Sequence, residues 1–128
     1  MAEACTITET QKSNSVKKIK WDWQSASDGS VSASVGETTD QYDGEILAVM
    51  TDPDAAGDAP TDNYDIVIND EDSIDVLVGR GANRDTANSE YVHNINNNPL
   101  LPVSKSKLTL VISNAGDTKK GLVYLFIR

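Results

Sequence analysis

Between residues 18 and 23 the chain alternates charge and bulk one residue at a time, with Lys18, Lys20 and Asp22 on one side and Ile19, Trp21 and Trp23 on the other. Successive side chains leave a pleated backbone on opposite faces, so period two is the signature of a half-buried strand. A helix would scatter the two tryptophans and the lysines around its cylinder. The same period returns in Tyr64, Ile66 and Ile68 and again in Ile74, Val76 and Val78. With Asp70-Glu71-Asp72 between them, these two runs predict a hairpin with an acidic tip.

Other segments agree. Residues 45–51 form a short continuous apolar run bounded by Asp43-Gly44 and Asp52-Pro53, which predicts a buried strand. Residues 107–113 and 121–128 are the clearest strands. In the last one Leu122, Tyr124 and Phe126 share one face and Val123, Leu125 and Ile127 the other, which predicts a central position in a sheet. Residues 30–35, with Val31, Ala33 and Val35 in alternation, predict a weaker strand, and residues 86–94 fit either a helical turn or an edge strand. Short strands, turn residues between them and no helical periodicity predict an all-β fold: an antiparallel β-sandwich of seven to eight strands, of jelly-roll form in preference to an immunoglobulin-like one. The polar residues 1–15 predict a flexible N-terminal arm, and residues 16–128 a single sandwich domain, for which 128 residues supply one core.

Charge excludes one class of partner. The chain carries 20 Asp and Glu against 11 Lys and Arg, a net charge of -9. Binding to nucleic acid draws on Lys and Arg that displace phosphate counterions, so no nucleic-acid partner is expected. Residues 28–85 hold 15 of the 20 acids, with Arg80 and Arg84 as their only bases. Most fall in turns, where solvated acids keep a protein soluble. The sequence has no run of eighteen apolar residues and no basic-then-apolar leader, so no membrane partner is expected. One cysteine, Cys5, forms neither an internal bridge nor a zinc cage, which suits folding in a reducing cytoplasm.

Catalytic and metal patterns fall short. His93 is the single histidine and no Gly-x-Ser-x-Gly elbow accompanies it; Cys5 would have to fold out of the arm to meet it. Asp52-x-Asp54 opens like a calcium loop, but Ala56 and Asn63 stand where ligands are required. No catalytic residue, metal or cofactor is therefore expected. The candidate contacts are with protein. Thr6 and Thr8 lie in the arm, and Ile95, Leu100, Leu101 and Val103 are apolar in a loop region that ought to be exposed. Trp21 and Trp23 would serve a sugar-stacking platform if exposed and the core if buried.

The stretch from Pro60-Thr61-Asp62-Asn63-Tyr64 through Val76-Leu77, followed by Gly79-Arg80-Gly81-Ala82-Asn83-Arg84, resembles a pattern in small proteins of tailed-phage genomes. So does the terminal Lys107-Leu108-Thr109-Leu110-Val111-Ile112-Ser113-Asn114-Ala115-Gly116, closing on Gly121-Leu122-Val123-Tyr124-Leu125-Phe126-Ile127-Arg128. The resemblance covers roughly the last two-thirds of the chain and is to capsid decoration, or cement, proteins. It implies a non-enzymatic virion protein, made in the host cytoplasm, that binds the outside of the expanded head and stabilises it by bridging major capsid protein subunits. Its partners would be the major capsid protein and itself, as a dimer or trimer at a capsid symmetry axis. The other readings are a glycan- or ligand-binding β-sandwich using Trp21 and Trp23, and an acidic mimic of DNA.

Overall fold

The computed structural model describes residues 2–10, 15–93 and 99–128. In chain order these form β1 (Ala4–Thr10), β2 (Lys17–Gln24), a helical turn α1 (Ala33–Gly36), β3 (Tyr42–Pro53), β4 (Asp65–Asn69), β5 (Glu90–His93), β6 (Pro102–Ser106), β7 (Thr109–Ser113) and β8 (Lys120–Ile127). One sheet runs β1-β2-β8-β3-β5, with β6 also pairing β3, and a second sheet is β4-β7. Every pairing is antiparallel. The all-β sandwich is present, with six strands in one sheet and two in the other.

The alternating segment becomes β2, and its apolar side meets the apolar side of β8: Ile19 stands across from Leu125, Trp21 from Val123 and Trp23 from Gly121. β8 does lie centrally, between β2 and β3. Over this face sits the small sheet, where Ile66 pairs with Ile112 and Ile68 with Leu110. All of these side chains are buried, and Val31, Val76, Leu77, Leu108 and Ala115 complete the same cluster. Burying an aliphatic or aromatic side chain of this size contributes about 1.5–3 kcal/mol before chain entropy is counted. Trp21 also places its indole N–H: it donates to the Gly36 carbonyl at 2.8 Å.

Residues 1–15 do not behave as an arm along their described length. Residues 4–10 are edge strand β1, in unbroken register with β2 from Ala4 opposite Gln24 to Thr10 opposite Lys18. Cys5, Ile7 and Glu9 point inward while Thr6, Thr8 and Thr10 point out. β-Branched threonine suits a pleated, half-exposed strand, so polarity here disguised a strand rather than excluding one. Two carboxylates fasten it. Glu9 accepts hydrogen bonds from the backbone N–H of Thr39 and Asp40, both at 3.0 Å, and from the Tyr42 hydroxyl at 2.8 Å. Glu3 accepts from the backbone N–H of Ser32 at 2.9 Å and from its hydroxyl.

Two further segments depart from their periodicity. Residues 74–78 are not a second hairpin strand. Asp70 accepts from the amides of Asp72 and Ile74, and Asp75 from those of Leu77 and Gly79, so side chains take donors that a ladder would need. Ile74 and Val78 are consequently exposed. In residues 30–35 Val31 makes one bridge to Ile112, and the chain then turns into α1, where a Cβ on Gly36 would collide with the Leu110 carbonyl oxygen. Of residues 86–94, left open by sequence, 90–93 form edge strand β5. No helix of the described residues is long and apolar enough to cross a membrane.

The acidic middle has a local use. Besides Asp70 and Asp75, Asp28, Asp43, Asp62, Asp65, Glu71 and Asp85 each accept a backbone N–H from a loop or strand end. A fold with long connections and little helix leaves many amides without a ladder partner, and carboxylates supply the acceptors.

Candidate interaction surface

The large sheet has one buried face and one that meets solvent. On the solvent face the strand registers line up three main rows: Thr6, Asp22, Leu122 and Asp52; Thr8, Lys20, Tyr124, Met50 and Tyr91; Thr10, Lys18, Phe126 and His93, the last two separated by the fully buried Ala48. Gln24 and Lys120 lie side by side beyond the first row. Leu122, Tyr124, Phe126 and Met50 are half-buried, and Tyr91 is 59% exposed. Outward positions on an antiparallel sheet are ordinarily polar, so a contiguous aliphatic and aromatic stripe across β8, β3 and β5 is the feature of this surface that requires explanation. Period two alone marks these residues as one face; it does not say that only the other face receives a second layer.

Polar groups frame the stripe. The Lys18 ammonium lies 5.9 Å from the centre of the Tyr124 ring, within cation–π range. Tyr91 and His93 stack with centroids 5.6 Å apart and planes inclined by 27°. At the opposite end a groove of about 360 Å³ is lined by Asp22, Asp52, Pro53, Asp54, Lys120 and Leu122. Asp52 there accepts a hydrogen bond from the Ser89 hydroxyl at 2.8 Å.

The residues singled out by sequence divide. Thr6 and Thr8 are exposed on β1 and extend the solvent face. Leu100 and Val103 are each only 4% exposed and belong to the core, so the loop's apolarity reflects inward packing rather than a free contact surface. Leu101 is half-buried against the same core, and Ile95 lies outside the described residues. Sequence reasoning did not single out Leu122, Tyr124, Phe126, Met50 and Tyr91 as a surface.

Among the described residues the other chemistry considered is not assembled. Trp21 and Trp23 are 0% and 1% exposed, so neither ring is open to a sugar. Cys5 points inward on one edge strand of the large sheet and His93 outward on the opposite edge strand. Burial, assisted by the charge of Asp22, pushes the Cys5 thiol up to about 12, opposite to the shift that activates a nucleophile. Among the described residues no group of three or more His, Cys, Asp and Glu is placed to hold a metal ion.

The chain matches no protein-family profile, no curated protein and no solved structure.

Proposed function

We propose that this chain is a non-enzymatic structural protein that decorates the outer surface of a tailed-phage head and stabilises it by bridging major capsid subunits. The observation that carries the reading is the solvent-facing stripe of Leu122, Tyr124, Phe126, Met50 and Tyr91 on a rigid β-sandwich. Such a face acts by contact: it offers apolar area and aromatic anchors, the materials of a protein interface. The net charge of -9 keeps a protein made in many copies from associating indiscriminately before a shell is present. Decoration by repeated symmetric copies then sums modest contacts into a stiffened shell.

The test is to mix the purified protein with expanded, undecorated phage heads and follow co-sedimentation and the melting of the shell. Saturable binding at a fixed ratio to capsid subunits, with a raised shell melting temperature, supports the reading. Absence of binding to such heads overturns it.

A further inference from the structure

We infer that the solvent face of the large sheet is covered by a second copy of this chain, the two related by a two-fold axis that runs across the strands between the Asp22 row and the Lys20 row. The inference makes a second copy in the decorating layer, not a capsid subunit, the occupant of this stripe; it rests on the shell reading only for its use, since the pairing itself is tested without a shell. An axis lying in the sheet plane, perpendicular to the strands, turns one outer face onto the other, keeps each strand over its own counterpart and reverses the order of the rows.

On β2 and β8 the rows are complementary under that operation, while on β3 Asp52 falls over Met50. Asp22 of each copy stands over Lys20 of the other, twice per dimer. Leu122 stands over Tyr124, so aliphatic meets aromatic along β8. Lys120 stands over Phe126, and Gln24 over Lys18. No like-charged pair is set face to face. Asp22 is exposed and makes no ion pair within its own chain among the described residues, so its charge is available to a neighbour.

Local charge supports a second copy rather than an acidic or a basic partner. Although the chain is at -9, this face carries Lys18, Lys20 and Lys120 against Asp22 and Asp52, close to balance. Two acidic molecules can therefore meet here without opposing a net charge, while the acidic loops elsewhere oppose further growth. Isologous pairing also closes on itself, so it ends at two copies. Five strands spaced about 4.8 Å apart and four to twelve residues long, about eight on average, present on the order of 600 Å² per copy, in the lower range of specific interfaces when both copies are counted. Packed outer face to outer face, the pair would direct its two small sheets in opposite directions. That gives a shell-bound unit two equivalent ends with which to bridge.

The experiment is sedimentation velocity on the full chain from micromolar to submillimolar concentration. The expected result is a concentration-dependent species of twice the 13.8 kDa chain mass. Asp22→Lys and Lys20→Asp should each weaken dimerisation by roughly tenfold or more by opposing like charges. The double charge swap should restore it to within about threefold, because the pair is exchanged rather than removed. Circular dichroism of each variant separates lost pairing from lost folding. On the unaltered protein, zero-length carbodiimide coupling of mixed light and heavy isotope chains should give a Lys20-to-Asp22 link between copies. A monomer throughout the range, or a dimer indifferent to both single charge changes, overturns the inference. Monomer with retained head binding removes the pairing alone, and dimer without head binding removes the shell reading alone.

Discussion

Trp23 lies across the backbone of Gly121, so closely that a Cβ on that glycine would stand 2.9 Å from Cζ2 of the indole. The pair is directly opposed in the β2–β8 register, and the missing side chain on β8 is the space the ring occupies. Trp23 in turn meets Tyr64, with ring centroids 5.8 Å apart, and so ties the large sheet to the residue that precedes β4.

Gly121→Ala should therefore act as an overpacking substitution. The added methyl group meets the body of a fully buried ring rather than the end of a flexible chain, which leaves no inexpensive adjustment. The expected cost is about 1–3 kcal/mol. Chemical denaturation should show the lower midpoint, and tryptophan emission should shift to longer wavelength as the ring is displaced. A midpoint and emission spectrum equal to those of the parent chain would count against this packing.

β1 should be part of the cooperative fold. Glu9→Ala leaves the Thr39 and Asp40 amides and the Tyr42 hydroxyl without their acceptor, for an expected loss of about 1–3 kcal/mol. Glu9→Gln keeps one acceptor oxygen and should recover part of it. Removal of residues 2–10 should cost more than either change, since it uncovers the edge of β2 beside Ile19 and Trp21. Urea unfolding checks the order; a truncated chain as stable as the full one would restore the free-arm reading.

The same contrast shows what the sequence made legible. Period two identified β2 and β8 because bulky apolar residues alternate there with charged or equally bulky ones, and hydrophobic contrast is large. It missed β1, whose inward face contains a glutamate and whose outward face is threonine. It overextended the hairpin at residues 74–78 because periodicity cannot register that Asp75 captures the amides of Leu77 and Gly79. The candidate surface was hidden for a different reason. Leu122, Tyr124 and Phe126 look like a second buried face, and only the count of layers shows that they meet solvent. Leu100 and Val103 erred the other way, since an Asn- and Pro-rich stretch reads as exposed even where its apolar side chains turn inward.

Leu100→Ser and Leu101→Ser should accordingly separate. Leu100 is buried in the core, and truncation of a buried leucine costs about 2–5 kcal/mol, more when a hydroxyl replaces it. Leu101 keeps part of its surface in solvent and should lose less. Thermal melting of the two variants, compared at equal concentration, decides the matter. Equal melting temperatures would place both side chains in the same environment, contrary to their burial.

Stability should decline on both sides of a neutral plateau. Burial raises the Cys5 thiol from 9.0 to about 12, with Asp22 adding to the rise. Burial likewise raises the Tyr64 phenol from 10.0 to about 12; the neighbouring Thr51 hydroxyl opposes the rise, although no hydrogen bond of full geometry joins them. Both groups hold their protons more tightly folded than unfolded, so their contribution is complete below about pH 9 and is lost as pH climbs towards 12. On the acid side, hydrogen bonds from Ser30 hold Asp28 below its ordinary 3.8, and those from Asn88 and Ala87 do the same for Asp85. These exposed carboxylates favour the folded state above that value and cease to do so as pH falls through their lowered range. Urea midpoints measured across pH should fall from pH 9 upwards, with a shallower alkaline slope in Cys5→Ala. A midpoint that stays level between pH 9 and 11 in the parent chain would show that neither group is held protonated by the fold.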